Sequence, residues 1–356
     1  MKMMPGLIPI FKPRSVNIFL TDLCNRDCPF CYLKGWTKHD ESEANHISYE
    51  NLKKIINWLK KSGIYQVKLA GGEPMLHPQI ISFIKELIKN DIIIDGILTN
   101  GLGETQLYKE IEKMTNTNWL VNVTNPETYS HKEWELLNKN LDVLKWKNKF
   151  LSVKKFGFDV SSLRHLCLSI TFYEENQDYE YIINLAKKYE CPVIRYDISR
   201  PAPDKNNIYV DFEKLIKLKP VLIEFVKRCI KEQIKPGVDD VLPFCIFTQE
   251  ELKFLHLFSN FYSVCIPHMD LMPDLKVYYC TSMRGILPSY EIQKMTAYDM
   301  FKNFMKETEK YRNFKLPRCE GCYNFNRKLC QGFCLRYKAD YLFKNKQKRK
   351  WSIFKI

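Results

Sequence analysis

Short apolar segments alternate with amphipathic helices up to residue 198, and this alternation restricts the fold more than any other feature. Six segments have the length and the branched apolar residues of buried strands: 16–20, 66–70, 92–98, 119–123, 166–171 and 193–198. Helices are predicted between them, and Ser48 is a suitable N-cap for the first. This order predicts an α/β fold with a parallel sheet and right-handed crossovers. An open sheet and a closed barrel both satisfy it.

Three distinctive motifs directly follow the first three strands. They are the cysteine-containing stretch 20–36, Gly71-Gly72-Glu73-Pro74 and Thr99-Asn100-Gly101. Because the carboxyl ends of parallel strands meet at one edge of a sheet, we expect all three motifs at the same edge. Parallel α/β proteins bind their ligands at this edge, so the sequence predicts a ligand site there.

The first motif contains Cys24, Cys28 and Cys31, a Cys-x3-Cys-x2-Cys pattern whose thiols can converge on one face of a loop. Thiolates are the usual protein ligands of iron–sulfur clusters, and a cubane cluster has four irons, so three ligands would leave one iron open. Structural zinc is the alternative, but it normally takes four protein ligands. The nearest histidine, His39, has no suitable spacing.

The pattern resembles the signature of the radical S-adenosylmethionine (radical SAM) superfamily, including Phe30, the aromatic residue before the third cysteine. The Gly-Gly-Glu-Pro and Thr-Asn-Gly motifs follow in the family's order and at family-like intervals. The resemblance implies a partial (β/α)6 barrel for the first part of the chain.

In this resemblance the three cysteines hold a 4Fe–4S cluster, and its open iron is chelated by the amino and carboxylate groups of SAM. An electron from a donor such as flavodoxin or ferredoxin breaks the sulfonium bond and a 5′-deoxyadenosyl radical forms. The second motif consists of Gly71, Gly72, Glu73 and Pro74. Its two glycines would let the backbone approach the ligand closely, since neither has a Cβ. Glu73 would accept a hydrogen bond from the methionyl amino group.

Other SAM-contact candidates are chosen by position. Thr99 and Asn100 follow the third strand, where a simple strand-end turn is the alternative. Asn122 and Thr124 end the fourth strand, where relatives contact the ribose. The sequence departs there from the Ser-x-Asp-Gly pattern that is commoner in the family.

Arg195 lies in the sixth strand, where related enzymes often place an arginine in the pocket. A buried arginine needs a partner, and the SAM carboxylate is one candidate. Asp197 is the alternative partner, because residues i and i+2 share a face of a strand.

A second array of six cysteines lies in the C-terminal part of the chain: Cys265, Cys280, Cys319, Cys322, Cys330 and Cys334. Their order resembles SPASM, a C-terminal extension of radical SAM enzymes that binds auxiliary clusters, or its shorter relative, the twitch domain. The chain departs from the SPASM pattern because Leu275 replaces a glycine, one gap is seven residues rather than five, and no cysteine follows Cys334. Zinc held by paired cysteine knuckles is the alternative.

The resemblance implies one or two auxiliary iron–sulfur clusters. In the two-cluster pattern, one cluster takes the first trio (Cys265, Cys280 and Cys334) and the other takes the second trio (Cys319, Cys322 and Cys330). A single cluster would instead take Cys265, Cys280, Cys319 and Cys322. A second cluster needs a ligand other than these cysteines, and Asp340 is a possible carboxylate. The remaining cysteines are Cys167, Cys191, Cys229 and Cys245, of which the first two are interpreted as small buried apolar residues.

A chain of 356 residues suits one large and one smaller domain. Residues 200–203 are rich in breakers, 212–234 are predicted to be helical with a kink at Pro220, and Pro236-Gly237 predicts a loop. The predicted boundary lies near residue 240. It separates a radical SAM core domain, 1–240, from a small cysteine-rich SPASM/twitch-like domain, 241–356.

Lys and Arg total 55 against 41 Asp and Glu, a net charge of +14. The scattered lysines favour solvated helix faces, including the basic run 344–350, over an acidic partner. No RNA-binding module is visible, so a nucleic-acid partner is not expected. No signal peptide or membrane-length apolar run is found, and thirteen cysteines argue for metal ligation rather than disulfides, so a cytoplasmic protein is expected.

The sequence predicts a radical SAM enzyme that abstracts hydrogen from a peptide or protein side chain, because relatives with such an extension often mature peptides. The alternative is oxidation or epimerisation of a small molecule, such as a sugar or an antibiotic precursor. A non-catalytic cluster protein that scaffolds a partner is a third interpretation. Few residues precede the first strand, so a peptide substrate would dock directly or through a separate partner. The sequence identifies no catalytic acid or base.

Overall fold

The computed structural model describes residues 13–145, 152–155, 158–161 and 166–343, and only the backbone for 152–155 and 158–161. The basic run 344–350 and residues 1–12 lie outside this description. Among the described helices, none combines the length and the apolar character needed to cross a membrane.

Twelve strands are described. They are β1 (Ser15–Phe19), β2 (Gln66–Ala70), β3 (Ile93–Thr99), β4 (Asn118–Asn122), β5 (Ser152–Lys155), β6 (Phe158–Ser161), β7 (Leu166–Phe172), β8 (Val193–Ile198), β9 (Lys235–Val238), β10 (Asp270–Leu271), β11 (Lys276–Tyr278) and β12 (Tyr290–Glu291). Ten form one sheet in the order β12-β11-β10-β1-β2-β3-β4-β7-β8-β9, and β5 and β6 form a separate hairpin. The eight strands from β10 to β9 are parallel, and β11 and β12 are antiparallel additions.

Helices connect these strands. They are α1 (Tyr49–Lys61), α2 (Ile80–Lys89), α3 (Thr105–Met114), α4 (His131–Leu144), α5 (Glu180–Lys188), α6 (Phe212–Lys231), α7 (Gln249–Phe258), α8 (Ala297–Asn313) and α9 (Tyr323–Asn326), and residues 335–343 are also helical. The Ser48 side chain accepts a hydrogen bond from the Asn51 amide and so caps α1 as predicted. Pro220 lies inside α6, which continues on both sides of it.

The predicted parallel α/β sheet is confirmed. The six expected strands correspond to β1, β2, β3, β4, β7 and β8, with helices between them. The prediction of a loop at Pro236-Gly237 is wrong, because both residues lie in β9. This strand is an edge of the sheet, where a proline can leave its missing N–H on the unpaired side.

The two faces of the sheet differ in chemistry. One face carries apolar residues that pack under the helices, among them Ile18, Leu69, Ile97, Leu168 and Ile194. On the other face, Phe19, Ala70 and Leu98 form a small apolar cluster with Leu33 and Tyr278. Further along this second face the strands carry polar side chains, and the functional motifs lie at their carboxyl ends.

The C-terminal segment adds strands to the same sheet. Here β10 pairs with β1, so β10–β12 extend the edge opposite β9. The Trp58 indole also donates a hydrogen bond of 2.8 Å to the Met295 carbonyl. The boundary near residue 240 stays a prediction, and the two proposed parts share one continuous sheet.

Candidate active site at the carboxyl edge of the sheet

The loop after β1 carries the three N-terminal cysteines within eight residues. The amide of Cys31 donates to the Cys28 carbonyl at 3.1 Å, and the amide of Cys24 donates to the Lys38 carbonyl at 2.8 Å. Cys24 is buried, whereas Cys28 and Cys31 are half-buried, and all three are free thiols. Short-range backbone hydrogen bonds therefore hold three thiols on one loop at the edge of the sheet.

Burial disfavours ionisation of these thiols. It raises the pKa of Cys24 and Cys31 to about 12, and the charges of the neighbouring thiols raise both further. Burial likewise raises the pKa of Cys28, which Arg26 opposes by its charge and a hydrogen bond. A thiolate ligand must lose its proton, so a bound metal centre would add to the positive charge of Arg26 and favour the deprotonated thiols. Three grouped and free thiols fit a 4Fe–4S cluster with one open iron.

Gly71 and Gly72 lie against the backbone that leads into this loop. A Cβ on Gly72 would lie 2.3 Å from the Leu23 carbonyl oxygen, and one on Gly71 would lie 2.8 Å from the Thr21 carbonyl oxygen. The Gly72 amide donates to the Thr21 carbonyl at 2.8 Å. The structure thus shows a reason for glycine at both positions: they permit close contact with the protein backbone of the cysteine loop. Their close approach to a bound ligand stays a prediction.

Glu73 connects the second and third motifs. Its carboxylate is buried and accepts hydrogen bonds from the Thr99 hydroxyl at 2.7 Å, the Asn100 amide at 2.7 Å and the Met75 amide at 3.1 Å. Burial raises the pKa of Glu73 to about 7, and the three hydrogen bonds oppose this rise. Pro74 is buried in the short turn that Glu73 caps. The carboxylate therefore joins the end of β2 to the end of β3.

Glu73→Ala is expected to lower the free energy of unfolding by about 3–6 kcal/mol, because three donors lose their acceptor and each buried unsatisfied donor costs on the order of 1–2 kcal/mol. Affinity for SAM should fall as well. Urea unfolding and equilibrium dialysis measure the two effects. The matched control is Glu104→Ala, since Glu104 is exposed and forms no capping hydrogen bond through its side chain. Lost SAM binding with unchanged stability would contradict this connecting role.

Asn100 and Arg26 attach the cysteine loop to the neighbouring strands. The side-chain amide of Asn100 (Nδ2) donates to Asn25 Oδ1 at 2.7 Å. The guanidinium of Arg26 donates to the Thr124 hydroxyl at 3.0 Å and lies 4.1 Å from the centre of the Tyr129 ring. Asn100 and Thr124, predicted as SAM contacts, thus also hold the loop. Arg26 was not predicted, although its position between Cys24 and Cys28 is a usable signal.

Phe30 anchors the other side of the loop. Its buried ring stacks on Tyr173 with the ring centroids 4.9 Å apart. Its carbonyl accepts hydrogen bonds from the Ser199 hydroxyl at 3.1 Å and from the Asn207 side-chain amide at 3.0 Å. The cysteine loop is therefore bonded to the residues after β3 and β4 on one side and to the residues after β7 and β8 on the other.

Polar atoms without a protein partner lie on the inner face beside the loop. Asn122 Oδ1, Ser169 Oγ and Asp197 Oδ1 are buried, and none has a hydrogen-bond partner among the described residues. Asn122 pairs in register with Ser169 across β4 and β7, and Ser169 pairs with Arg195 across β7 and β8. Asp197 lies two residues beyond Arg195 on the same face of β8, and adjacent strands are about 4.8 Å apart, so the three groups without a partner lie on one face of three neighbouring strands. We call Asn122, Ser169 and Asp197 the polar row. Ser169 and Asp197 were not identified from the sequence as ligand contacts.

Arg195 forms ion pairs with protein carboxylates. Its Nη2 lies 2.6 Å from Asp197 Oδ2, and its Nη1 lies 3.2 Å from Asp239 Oδ2. The pairing with Asp197 is the alternative that the i, i+2 spacing offered. Asp239 follows β9, so this contact comes only from the tertiary structure.

Arg200 lies between the N-terminal cysteine loop and the first trio. Its guanidinium is 5.4 Å from the centre of the Tyr32 ring, next to Cys31, and its Nε is 3.1 Å from Asp240 Oδ1. Burial raises the pKa of Cys334 to about 12, which the charge of Cys265 raises further and that of Arg200 lowers. The first trio thus faces the same polar region as the cysteine loop.

The second trio is grouped separately. The Ser263 hydroxyl donates to Cys330 Sγ at 2.9 Å, and Cys319 and Cys330 are buried. Among the described residues, no three Cys, His, Asp or Glu side chains are arranged around a single metal ion. This holds for the N-terminal cysteines as well as for both trios.

The fold and the three thiols fit a site that would hold an iron–sulfur cluster at the carboxyl edge of a parallel sheet. Residues 18–186, a little under half of the chain, match the model of the Radical SAM superfamily. Over these residues the chain is similar to the radical SAM superfamily of enzymes, whose members use a 4Fe–4S cluster and SAM.

Relatives and solved structures are similar to different extents. The chain is 30% identical over 119 residues to a probable GTP 3′,8-cyclase of Methanocaldococcus jannaschii, covering 33% of this chain and 39% of that protein. It therefore spans well under half the length of such relatives. Streptococcus suis SuiB bound to the precursor peptide SuiA has a TM-score of 0.60 at 16% identity, over 90% of this chain and 72% of that one. The enzyme anSMEcpe with bound AdoMet and Kp18Cys peptide has a TM-score of 0.61 at 16% identity, over 90% and 89%. At such identities the two structures show the shared fold.

The predicted peptide or protein substrate is wrong on this evidence. The sequence relatives named GTP 3′,8-cyclase are 26–35% identical over the matched segments, and their name refers to a nucleotide. The prediction rested on the order of the C-terminal cysteines. Cysteines that ligate a cluster report on the metal, and they carry no information on the molecule that reacts.

Proposed function

We propose that the protein is a radical SAM enzyme that oxidises or epimerises a small polar molecule. The bound 4Fe–4S cluster would supply the electron that cleaves SAM and yields a 5′-deoxyadenosyl radical. Cys24, Cys28 and Cys31 would hold this cluster, and Glu73 would keep the SAM-binding loop fixed against the end of β3.

The polar row is the observation that carries the proposal for a small polar substrate. Three buried polar atoms without a partner are costly unless a bound molecule completes their hydrogen bonds. Asp197 Oδ1 and Asn122 Oδ1 can only accept, whereas the hydroxyl of Ser169 can donate or accept. SAM and a substrate that carries hydroxyl or amino groups would together complete the hydrogen bonds of all three atoms.

The charges around the row support the same conclusion. Arg195 is bonded to Asp197 and Asp239, and the charges of Lys68 and His268 also act on Asp239. Groups held in this way keep their positions and present polar atoms to the interior. A small molecule with matching polar groups could be enclosed there with its hydrogen bonds satisfied.

The names of the sequence relatives favour a small molecule as well. GTP 3′,8-cyclases are named for a nucleotide, whose hydroxyl and amino groups could donate hydrogen bonds to Asn122 Oδ1 and Asp197 Oδ1. The shared segments cover about a third of this chain, so GTP serves as a probe compound here.

The two trios are proposed to hold auxiliary iron–sulfur clusters in a SPASM/twitch-like region beyond residue 240. The first trio has three cysteines beside Arg200, so an open iron there would face the polar region that the N-terminal loop also borders. An electron donor such as a flavodoxin or a ferredoxin would be needed as a partner.

The small-molecule fraction of an extract from the source cells is expected to raise the rate of 5′-deoxyadenosine formation several-fold. The assay contains the anaerobically reconstituted protein, SAM and a reductant, and GTP is the first pure compound to add. Protease treatment of the fraction serves as the control and should leave the stimulation unchanged. Stimulation that remains with the macromolecules and disappears on protease treatment would overturn the proposed substrate class.

A further inference from the structure

We propose that Cys245 is the fourth cysteine of the metal site formed by the second trio, and that this site holds a fully ligated iron–sulfur cluster. The inference rests on the proposed C-terminal clusters and adds a residue that lies outside the cysteine pattern used to predict them. Cys245 lies in a short turn, Phe244–Ile246, between β9 and α7.

The tertiary structure brings Cys245 to the second trio. Cys245 and Cys319 line the same cavity of about 360 Å³. Burial raises the pKa of Cys245, and the charges of Cys330, Cys319 and Cys322 each raise it further. Interactions between ionisable side chains weaken with distance, so Cys245 lies near the three cysteines of the second trio.

The surroundings of the trio suit sulfur ligands. Gly332 has φ +92°, and a Cβ there would lie 3.0 Å from Cys319 Sγ, so only glycine leaves room for this sulfur. The Gly332 amide donates to Cys330 Sγ at 3.3 Å, in addition to the hydrogen bond from Ser263. Hydrogen bonds to the ligand sulfurs are one of the means by which a protein sets the reduction potential of a cluster.

A buried cation independently indicates an anionic group at this place. Lys338 is fully buried, and its ammonium donates to the carbonyls of Arg312 at 2.9 Å and Gln331 at 2.6 Å. Among the described residues no carboxylate forms an ion pair with it. Burial lowers its pKa to about 8, against which the charges of Cys319 and Cys330 act. A buried ammonium requires a negative partner, and thiolates bound to a cluster would provide one.

Asp340, the carboxylate considered as a ligand from the sequence, is already engaged. Its Oδ1 lies 3.0 Å from Lys205 Nζ, and its Oδ2 lies 3.2 Å from Arg336 Nε. The Cys245 side chain forms no ion pair within the described part of the chain. The chain would then have one C-terminal site with four cysteines, suited to electron transfer, and one with three, whose open iron could bind substrate.

Alkylation of the reconstituted wild-type protein tests the assignment. Cys245 is an exposed thiol, so iodoacetamide should label it after a chelator has removed the clusters and at least tenfold less before removal. Mass spectrometry quantifies each cysteine. Cys167 serves as the control, since it belongs to none of the proposed sites, and its labelling should be governed by the fold alone.

Metal analysis separates this inference from the proposed function. The variant without Cys24, Cys28 and Cys31 should keep about eight irons, because each cubane has four. In that background Cys245→Ser should change the electron paramagnetic resonance spectrum of the reduced protein, since oxygen replaces a sulfur ligand. Protection of the second trio with equal labelling of Cys245 before and after chelation would overturn only the role of Cys245. Labelling of both trios, or stoichiometric zinc, would overturn the C-terminal iron–sulfur clusters as well.

Discussion

Replacing Cys24, Cys28 and Cys31 together by alanine is expected to abolish the formation of 5′-deoxyadenosine. These are the thiols of the loop after β1 at the carboxyl edge of the sheet, and burial raises the pKa of each of them. Without thiolates the loop has no ligand for the cluster that supplies the electron. Chromatographic detection of 5′-deoxyadenosine under anaerobic, reducing conditions measures the effect.

Two controls distinguish this loss from misfolding. The triple variant should keep its C-terminal iron and its far-ultraviolet circular dichroism. Cys229→Ala removes a thiol from α6, which lies away from the carboxyl edge, and should retain activity. A triple variant that cleaves SAM at the wild-type rate would disprove the role of the loop.

Gly72→Ala is expected to prevent cluster assembly and to lower the free energy of unfolding by about 2–3 kcal/mol, a typical cost of overpacking. Its added Cβ would lie 2.3 Å from the Leu23 carbonyl oxygen, one residue before Cys24. The Glu73 amide donates to that same carbonyl at 2.7 Å, so a shift there would disturb both motifs. Iron content and urea unfolding provide the measurements.

Gly96→Ala is the matched control in the neighbouring strand. A Cβ at Gly96 would lie 3.6 Å from the nearest atom, the Asn118 carbonyl oxygen, which is ordinary contact. Its stability should change by about 1 kcal/mol or less, because alanine replaces a flexible glycine without a clash. If Gly72→Ala assembles the same iron as Gly96→Ala, close backbone approach is not the reason for glycine at position 72.

These expectations share one structural cause. The end of β2, the end of β3 and the cysteine loop are joined by backbone contacts at Gly72, by the Glu73 carboxylate and by the hydrogen bond from Asn100 to Asn25. The motifs that the sequence places on one edge are thus also bonded to one another. A change in one of them should alter the positions of the others.

The sequence by itself determined the parallel sheet and the edge that carries the site. Branched apolar strands and amphipathic helices are local patterns, and their alternation allows few arrangements. Each motif directly follows a strand, so its place at the carboxyl edge comes from the direction of the chain. The same local reasoning failed at Pro236-Gly237, because whether a strand lies at an edge depends on its neighbours.

Contacts between residues far apart in the chain come from the tertiary structure. Asn122 and Ser169 lie opposite each other because of the register between β4 and β7, and Asp197 lies on the same face of β8, two residues beyond Arg195, the partner of Ser169. Cys245 and Cys319 are 74 positions apart, and no spacing rule joins them. They line one cavity because the turn after β9 and the C-terminal segment fold onto each other. Local sequence patterns report on hydrogen bonding and burial within an element, whereas such contacts depend on the packing of the whole chain.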